Sequence, residues 1–354
     1  MRKGPSTKTP SRTTATASAL AARVNLNALR GILDVLDRFG VAAGPVLQAA
    51  SLTLADFEDP ERSATFERLD RLFAIAVKQT GCGHFGLLVG TTINLQSFGI
   101  AGRLARNAPT VGAALWDLTR YFVLHDSGGT INVAVRDGAA TVTYGIHTTG
   151  FHNADQVYDL AVAALIKVMR QLCGPDMRPD AVLLPRSRPR DIRAYREVLG
   201  APLRFDSMQA GLVLPVRWLD RPIADADALL HRLIEDRATT VMAQLDPLLH
   251  NEVRRVLRGV LMAGDCSRAE VARRLGLHPR TLVRRLQQSG TTFQALLDDT
   301  RSQIAKQLLH DTGSPVSRIA ASLGYRDPTV FTRAFRRWTG LTPRQFRAAL
   351  PDKW

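Results

Sequence analysis

The sequence predicts an α+β N-terminal domain followed by an all-α C-terminal domain, in which two helix-turn-helix units are joined by a linker helix. Two observations support this fold class: a hairpin pattern around Asp137-Gly138 in the first part, and an internal repeat in the last hundred residues. The 354 residues suffice for two or three domains that each bury a core. Hydrophobic residues at 45% and charged residues at 22% exclude a wholly disordered chain.

The elements of the first part follow from the spacing of its apolar residues. Helical spacing predicts helices at about 25–39, 65–78, 109–123, 158–172 and 192–199. Alternating or short apolar runs predict strands at 130–135, 141–146, 181–184 and 211–214. A mixed-charge segment that begins with Pro222 and ends at Leu245 predicts a connecting helix.

The internal repeat predicts the architecture of the second part. The segment 272–281 recurs 48 residues later as 320–329. In each copy an alanine allows two helices to approach closely, and a glycine, Gly276 or Gly324, permits the positive φ of a tight turn. An apolar residue after the glycine fills the small core between the helices, which is the pattern of a helix-turn-helix unit.

A linker helix separates the two copies. Apolar residues from Phe293 to Leu308 lie on one face of a helix of roughly 17 residues, about 25 Å long. If the second helices of both units point the same way, they can enter successive major-groove segments about 34 Å apart. Their caps differ, because Asp327 is a favourable N-cap whereas His278 stands where Ser or Thr is preferred. We expect the first of these two helices to be less well capped.

The formal net charge of +15 is distributed unevenly along the chain. Residues 1–23 carry five basic and no acidic residues, residues 24–245 carry 23 of each sign, and residues 246–354 carry 19 basic and nine acidic residues. A basic end beside a neutral part indicates a module that binds nucleic acid or another polyanion. No membrane partner is expected, since no segment has the apolar density of a span. We interpret residues 1–23 as a disordered basic tail, because they lack the apolar core of a secretory signal.

Patterns typical of catalysis and metal binding are missing from the sequence. Cys82, Cys173 and Cys266 lie far apart, which predicts neither a zinc site nor a disulfide framework and favours a cytoplasmic setting. The segment 81–86 fits GxGxxG, but it follows a predicted helix, so a helix end is favoured over a dinucleotide site. There is no HExxH or GxSxG motif. We expect no catalytic residue, no metal and no cofactor.

Specific motifs in the repeat region match a known family. They are Ala272, Leu275-Gly276-Leu277, Ile319-Ala320, Leu323-Gly324-Tyr325, Phe331, Ala334-Phe335, Gly340, Thr342-Pro343-Arg344 and Phe346-Arg347. With these motifs, residues 248–350 resemble the DNA-binding domain of the AraC/XylS transcriptional regulators. Residues 25–223 resemble the arabinose-binding-like, ligand-sensing domain of such regulators, through the runs 84–90, 189–205 and 219–222.

The charge distribution, the pattern of predicted elements and the resemblance together divide the chain into four regions. They are a disordered basic tail at 1–23, a ligand-sensing and dimerisation domain at 24–222, a connector at 223–246 and an AraC-type DNA-binding domain at 247–350. The sensing domain offers polar residues near apolar segments as candidate effector contacts. These candidates are His125, His147, His152 and Tyr158.

The family's pattern also assigns roles to the outward side chains of the two recognition helices. The residues expected to face bases are Arg280, Thr281 and Arg284 in the first unit and Thr329, Thr332 and Arg333 in the second. A groove-facing arginine can donate two hydrogen bonds to guanine, worth about 1–3 kcal/mol of discrimination. The residues expected at phosphates, where they add affinity without sequence information, are Arg285, Arg336, Arg337 and Arg344.

The resemblance implies a bacterial, sequence-specific transcriptional activator controlled by a small-molecule metabolite, such as an amino acid, an aromatic acid or a fatty acid. The implied partners are double-stranded promoter DNA, RNA polymerase and a second copy in a homodimer. Two alternatives remain. A non-specific architectural DNA-binding protein needs only the basic end, and a neutral domain of roughly 200 residues argues against it. A DNA-modifying enzyme on the same module, such as an alkyl acceptor, needs clustered cysteines, which this chain lacks.

Overall fold

A five-stranded sheet covered by helices forms the first domain in the computed structural model, which describes residues 22–146, 153–244, 249–263 and 266–350. A connecting helix and an all-α domain follow, so the predicted fold class is confirmed. The two domains have separate hydrophobic cores. None of the described helices is both long and apolar enough to cross a membrane.

The strands of the first domain make two sheets. They are β1 Arg23–Asn25, β2 Ser63–Thr65, β3 Gly129–Arg136, β4 Ala139–Ile146, β5 Ala181–Leu183, β6 Leu203–Arg204 and β7 Ala210–Pro215. β1 and β2 form an antiparallel ribbon, and the main sheet has the order β3-β4-β7-β5-β6, with only β5 and β6 parallel. The predicted hairpin of β3 and β4 is confirmed. Asp137 and Gly138 at its tip have φ values of 49° and 75°, and a type I′ turn requires both to be positive.

The helices divide between the two domains. The first domain holds α1 Gly31–Arg38, α2 Ala43–Ala49, α3 Ala55–Glu58, α4 Phe66–Thr80, α5 Phe85–Gly90, α6 Gly99–Arg106, α7 Val111–Tyr121, α8 Ala154–Cys173 and α9 Arg193–Leu199. The connecting helix is α10 Ala228–Gln244. The second domain holds α11 Leu249–Ala263, α12 Arg268–Arg274, α13 Pro279–Gln288, α14 Phe293–Asp311, α15 Val316–Ser322, α16 Pro328–Thr339 and α17 Pro343–Ala348. Single turns of 3-10 helix lie at Asn27–Leu29, Leu95–Phe98, Phe122–Leu124 and Val216–Trp218.

The prediction of one helix over residues 25–39 is wrong in its first part. Asn25 instead pairs with Ser63 across the β1–β2 ribbon, and its Oδ1 accepts a hydrogen bond from the amide of Asn27 at 2.9 Å. A local side-chain bond of this kind competes with a helix and turns the chain. The α-helix therefore begins only at Gly31.

The connecting helix also begins later than predicted, at Ala228 rather than Pro222. Its start is set by Asp227, whose Oδ1 accepts the amide hydrogens of Leu229 and Leu230, each at 2.9 Å. This satisfies two of the free amides that every helix start exposes.

Helix α8, with 20 residues, packs closely against α5 in the first core. A Cβ atom on Gly86 would lie 2.0 Å from the carbonyl oxygen of Gln156, and one on Gly90 would lie 2.3 Å from that of Leu160. Gly81 ends α4 with a φ of 66°. The predicted helix end within the GxGxxG segment is therefore confirmed. The last glycine of the segment, Gly86, allows α5 and α8 to pack closely.

Two helix-turn-helix units occupy most of the second domain. They are formed by α12 with α13 and by α15 with α16. Gly276 and Gly324, in their turns, have φ values of 64° and 81°, so both predicted turns are confirmed. The linker helix α14 has 19 residues and lies between the units, and α11 packs on both α14 and α12.

Candidate DNA-binding and effector sites

The recognition helices α13 and α16 begin with unequal caps. Oδ1 of Asp327 accepts the amide hydrogen of Thr329 at 2.7 Å, and this bond lowers the pKa of Asp327. At the start of α13, Nδ1 of His278 accepts the amide hydrogen of Arg280 at 3.3 Å. The longer bond agrees with the expectation that the first recognition helix is less well capped.

Inward and outward side chains of the recognition helices separate as the repeat predicts. The inward residues Leu282, Leu286, Phe331 and Phe335 are fully buried. Of the residues expected at bases, Arg280, Arg284, Thr329 and Arg333 are exposed, and Thr281 and Thr332 are half-buried. The hydroxyl of Thr332 donates to the carbonyl oxygen of Pro328 at 2.9 Å, so its methyl group is the part without an internal partner.

The arginines expected at phosphates are all exposed: Arg285, Arg336, Arg337 and Arg344. Arg337 has an internal partner, because its Nη2 lies 3.3 Å from Oδ2 of Asp298 on α14. An exposed ion pair of this kind contributes about 1 kcal/mol or less. A phosphate can therefore compete with Asp298 for Arg337.

Val330 is a residue of the second recognition helix that the sequence pattern does not single out. It lies in the first turn of α16 beside Thr329, and 44% of it is exposed. An exposed apolar side chain on a recognition helix can contact the methyl group of thymine. The sequence nevertheless contains a signal for this residue. Val330 immediately precedes the inward-facing Phe331, so its apolar side chain must face solvent.

The linker helix holds the second unit through Arg301. Its guanidinium lies over the ring of Tyr325, 4.8 Å from the ring centroid, and its Nε donates to the carbonyl oxygen of Leu323 at 3.1 Å. Both partners flank Gly324 in the turn of the second unit. α14 thus positions this turn as well as separating the two units.

A cavity of about 80 Å³ lies beside α8 in the first domain. Its wall is mainly aliphatic and aromatic, with contributions from Phe66, Phe98, Leu118, Phe122, Ile131, Val157, Leu160, Ala164 and Leu165. Its polar side chains are His125, Asp126, Thr143 and Tyr144. Of the four predicted effector contacts, His125 lines this cavity.

Asp126 and Tyr144 bind each other in the cavity wall. The hydroxyl of Tyr144 donates to Oδ2 of Asp126 at 2.8 Å, and Oδ1 accepts the amide hydrogens of Gly128 and Gly129, each at 2.8 Å. Burial raises the pKa of Asp126 to about 6 and raises that of Tyr144 well above its usual value. These bonds fix the first residues of β3 against β4.

His125 is held by packing instead. Its ring lies edge-on to Phe98 and Phe122, with centroid distances of 5.0 and 5.5 Å. Within the described residues, no hydrogen bond reaches either ring nitrogen. Burial lowers the pKa of His125 to about 4, so the imidazole is neutral at pH 7.

Tyr158 lies where the two domains meet. Its hydroxyl accepts a hydrogen bond from Nε2 of Gln307 on α14, and its ring packs edge-on against Tyr144, 6.4 Å between centroids. Tyr158 and Tyr144 both line a small cavity between the domains. The other two predicted effector contacts, His147 and His152, lie outside the described residues.

Arg258 on α11 forms a second link between the domains. Its Nη1 donates to the carbonyl oxygen of Ile146, at the end of β4, at 2.6 Å, and its Nη2 donates to Oε1 of Gln303 on α14 at 2.7 Å. Only 6% of the residue is exposed, and burial lowers its pKa to about 10. The sequence gives no signal for this role, because a buried arginine and a surface arginine have the same local pattern.

A larger cleft of about 820 Å³ separates the first domain from the first helix-turn-helix unit. Trp116, Arg120 and Asn132 line one side, and Arg274 and Gly276 line the other. The turn of the first unit therefore faces the first domain across this cleft.

Comparison with known proteins gives the same division of the chain. Residues 40–223, just over half of it, match the family model described as the arabinose-binding domain of AraC transcription regulator, N-terminal, and residues 271–349 match a helix-turn-helix domain. The transcriptional regulator VirS of Mycobacterium tuberculosis is 29% identical over 331 residues, covering 93% of this chain and 97% of VirS. The ornithine utilization regulator of Pseudomonas aeruginosa is 28% identical over 325 residues, covering 90% and 94%.

Among solved structures, the transcriptional regulator CdpR from Pseudomonas aeruginosa matches at 25% identity and a TM-score of 0.44, covering 90% of this chain and 97% of that one. The family is decided by the sequence matches, in which the N-terminal model and the helix-turn-helix model occur in the same order as the two domains. The relatives that cover nearly the whole chain include VirS, which is named as a helix-turn-helix transcriptional regulator. This chain therefore belongs to the AraC family and is a sequence-specific DNA-binding transcriptional regulator with an N-terminal ligand-sensing domain.

Proposed function

We propose that this regulator activates transcription when a small molecule occupies the cavity in its first domain. The observation that supports effector control is the position of Tyr144. Its side chain belongs to the cavity wall, and its ring packs on Tyr158, which is hydrogen-bonded to Gln307 of the linker helix. A ligand that displaces Tyr144 therefore acts on the helix that carries both DNA-binding units.

We propose that each recognition helix contacts DNA bases with one set of residues and DNA phosphates with another. The base-contacting residues are Arg280, Thr281, Arg284, Thr329, Thr332 and Arg333, and the phosphate-contacting residues are Arg285, Arg336, Arg337 and Arg344. Support comes from their exposure opposite the buried face of each helix. The 19 residues of α14 span about 28 Å, which suits two units on successive major-groove segments.

The proposed domain limits are 24–222 for ligand sensing, 223–246 for the connector and 247–350 for DNA binding, with the basic tail before them. The separate cores support this division. The connector packs against the first domain, because Nε2 of His231 lies 2.9 Å from Oδ2 of Asp117 and the hydroxyl oxygens of Thr239 and Tyr121 lie 3.1 Å apart. The connector is therefore anchored on the first domain.

Besides DNA and the effector, the proposed partners are RNA polymerase and a second copy of the chain. The proposed location is the bacterial cytoplasm. The proposal contains no catalytic step.

A dimer surface is supported by Leu229 and Leu233, which lie one turn apart on α10 and are 62% and 59% exposed. Sedimentation of a Leu229→Glu/Leu233→Glu variant tests it, and we expect a monomer. Val135→Glu, at a similarly exposed apolar residue on β3, is the matched control and should leave the oligomeric state unchanged.

The test of DNA recognition is a DNase I footprint of the full chain on promoter fragments. We expect two short protected stretches about one helical turn apart on one face of the duplex. Arg284→Ala should weaken protection of the first stretch and Arg333→Ala that of the second. Uniform protection along the fragment contradicts the proposal and supports the architectural alternative.

A further inference from the structure

We propose that the effector is a small uncharged molecule with a hydrophobic body and one hydrogen-bonding group, and that His125 binds that group. This inference rests on the proposed function, because it concerns the cavity through which the effector is proposed to act. It departs from the acids that the family resemblance suggests as effectors.

The cavity wall offers no positive charge for an acid. Among the described residues that line it, none is a lysine or an arginine. A carboxylate or phosphate buried there would lose its hydration without gaining an ionic partner, which is strongly unfavourable. Aliphatic and aromatic walls of this kind instead favour an apolar body, as in dry engineered cavities that bind benzene. The volume of about 80 Å³ is roughly half the ~150 Å³ of the engineered cavity that binds benzene, so the body is at most a single ring and its entry requires wall side chains such as Tyr144 to move.

The acidic residue in the wall is already engaged. Asp126 accepts hydrogen bonds from Gly128, Gly129 and Tyr144, and all three bonds are 2.8 Å long. A cationic ligand would have to share Oδ2 with the hydroxyl of Tyr144. Asp126 therefore serves the fold of the β3–β4 hairpin rather than binding a charged ligand.

His125 and Thr143 are the polar side chains in the wall whose hydrogen-bonding groups have no partner within the described residues, and Thr143 is shared with the small cavity between the domains, so His125 is the group that belongs to this cavity alone. A neutral imidazole has one N–H donor and one nitrogen acceptor. It can accept a bond from a ligand hydroxyl or donate one to a ligand carbonyl. Phe98 and Phe122 hold the ring in place, so little of its freedom is lost on binding.

The experiment is isothermal titration calorimetry of the full chain with three probes of the same ring: phenol, benzoate and benzylamine at pH 7. We expect phenol to bind and the two charged probes to bind at least tenfold more weakly. His125→Phe should keep the packing and lower the affinity for phenol by about threefold to tenfold, the net worth of one hydrogen bond. His84→Phe is the matched control, because His84 packs on Tyr195 outside the cavity, and it should leave the affinity unchanged.

A blocking variant locates the binding. Ala164 is 4% exposed and lines the cavity, so Ala164→Leu should fill the space and abolish the phenol heat. Absence of phenol binding to the parent chain, or phenol binding that survives both Ala164→Leu and His125→Phe, overturns the inference.

Two further outcomes separate this inference from the proposed function. If benzoate or benzylamine binds more tightly than phenol and Ala164→Leu abolishes that binding, the ligand class is wrong while the cavity remains the effector site. If phenol binds as expected but saturation leaves the affinity for promoter DNA unchanged, the ligand class stands and the proposed coupling to DNA fails.

Discussion

The hydroxyl of Tyr158, in the longest helix of the sensing domain, accepts a hydrogen bond from the side-chain amide of Gln307, in the linker helix of the DNA-binding domain. The ring of Tyr158 also touches Tyr144, which forms part of the cavity wall. One tyrosine pair thus joins the effector cavity to the element that spaces the two recognition helices. The two hydrogen-bonded side chains belong to different domains. Each can be substituted separately, so a double-mutant cycle measures the energy of the link between the domains.

We expect Tyr158→Phe and Gln307→Ala to be coupled in stability. Each single variant should lower the free energy of unfolding by about 1 kcal/mol, and the double variant by about 0.5–1.5 kcal/mol less than the sum. Urea unfolding of the full chain measures all three. Gln294→Ala, on the same helix but bonded to Asp298, is the control and should add independently to Tyr158→Phe. Additive effects at 158 and 307 contradict the link.

The helix contact at Gly86 gives a second prediction. Gly86→Ala should lower the free energy of unfolding by about 1–3 kcal/mol, because the new Cβ meets the backbone of Gln156 at 2.0 Å. Gly83→Ala lies in the same GxGxxG segment with no atom within 4 Å of its Cβ, and it should be nearly neutral. Thermal unfolding compares the two. Equal losses at both positions indicate that this helix contact is not what requires the glycine.

Arg333 is the position at which we expect base choice to be most sensitive. It is exposed on α16 and equivalent to Arg284 in the first unit. Arg333→Ala should cost about 1–3 kcal/mol at the cognate site and relax the preference at one base pair. Fluorescence anisotropy with the cognate duplex and single-base variants measures this. Unchanged affinity and preference would remove Arg333 from the reading surface.

Arg337 should behave differently, as a phosphate contact that already has an internal partner. Arg337→Ala should weaken binding to all duplexes about equally and lower the slope of log K against log salt by about one. Asp298→Ala removes the carboxylate 3.3 Å from Arg337 and should strengthen binding slightly for every sequence. A loss that depends on base sequence contradicts the phosphate assignment.

The parts of the fold that could be predicted are those set by local chemistry. Gly276 and Gly324 recur with the repeat, and each has the positive φ that its turn needs. Asp137-Gly138 and the cap at Asp327 are likewise determined by neighbours in sequence. Even the start of the first helix failed for a local reason, because the side chain of Asn25 turns the chain.

The effector cavity and the domain boundary depend on contacts between distant segments, so periodicity could not find them. Arg258 and Ile146 are 112 residues apart, and the bond between them exists only once α11 docks on the end of β4. His125 could be named from sequence as a polar residue near apolar ones. That it faces a cavity is determined by Phe98 and by the packing of α8.

The pH dependence of stability tests whether His125 is truly held in an apolar wall. Its pKa is lowered from 6.5 to about 4, so its stabilising contribution is complete above pH 6.5 and is lost as the pH falls through 4. Asp126 acts in the opposite direction. Its pKa is raised from 3.8 to about 6, so its contribution to the free energy of unfolding is complete below pH 3.8 and is lost as the pH rises through 6. His125→Phe removes only the first effect. Between pH 6.5 and 4, we therefore expect the parent chain to lose up to about 3 kcal/mol relative to His125→Phe. Urea unfolding at half-unit steps of pH measures the difference, and parallel curves for the two proteins would show that the imidazole is solvated.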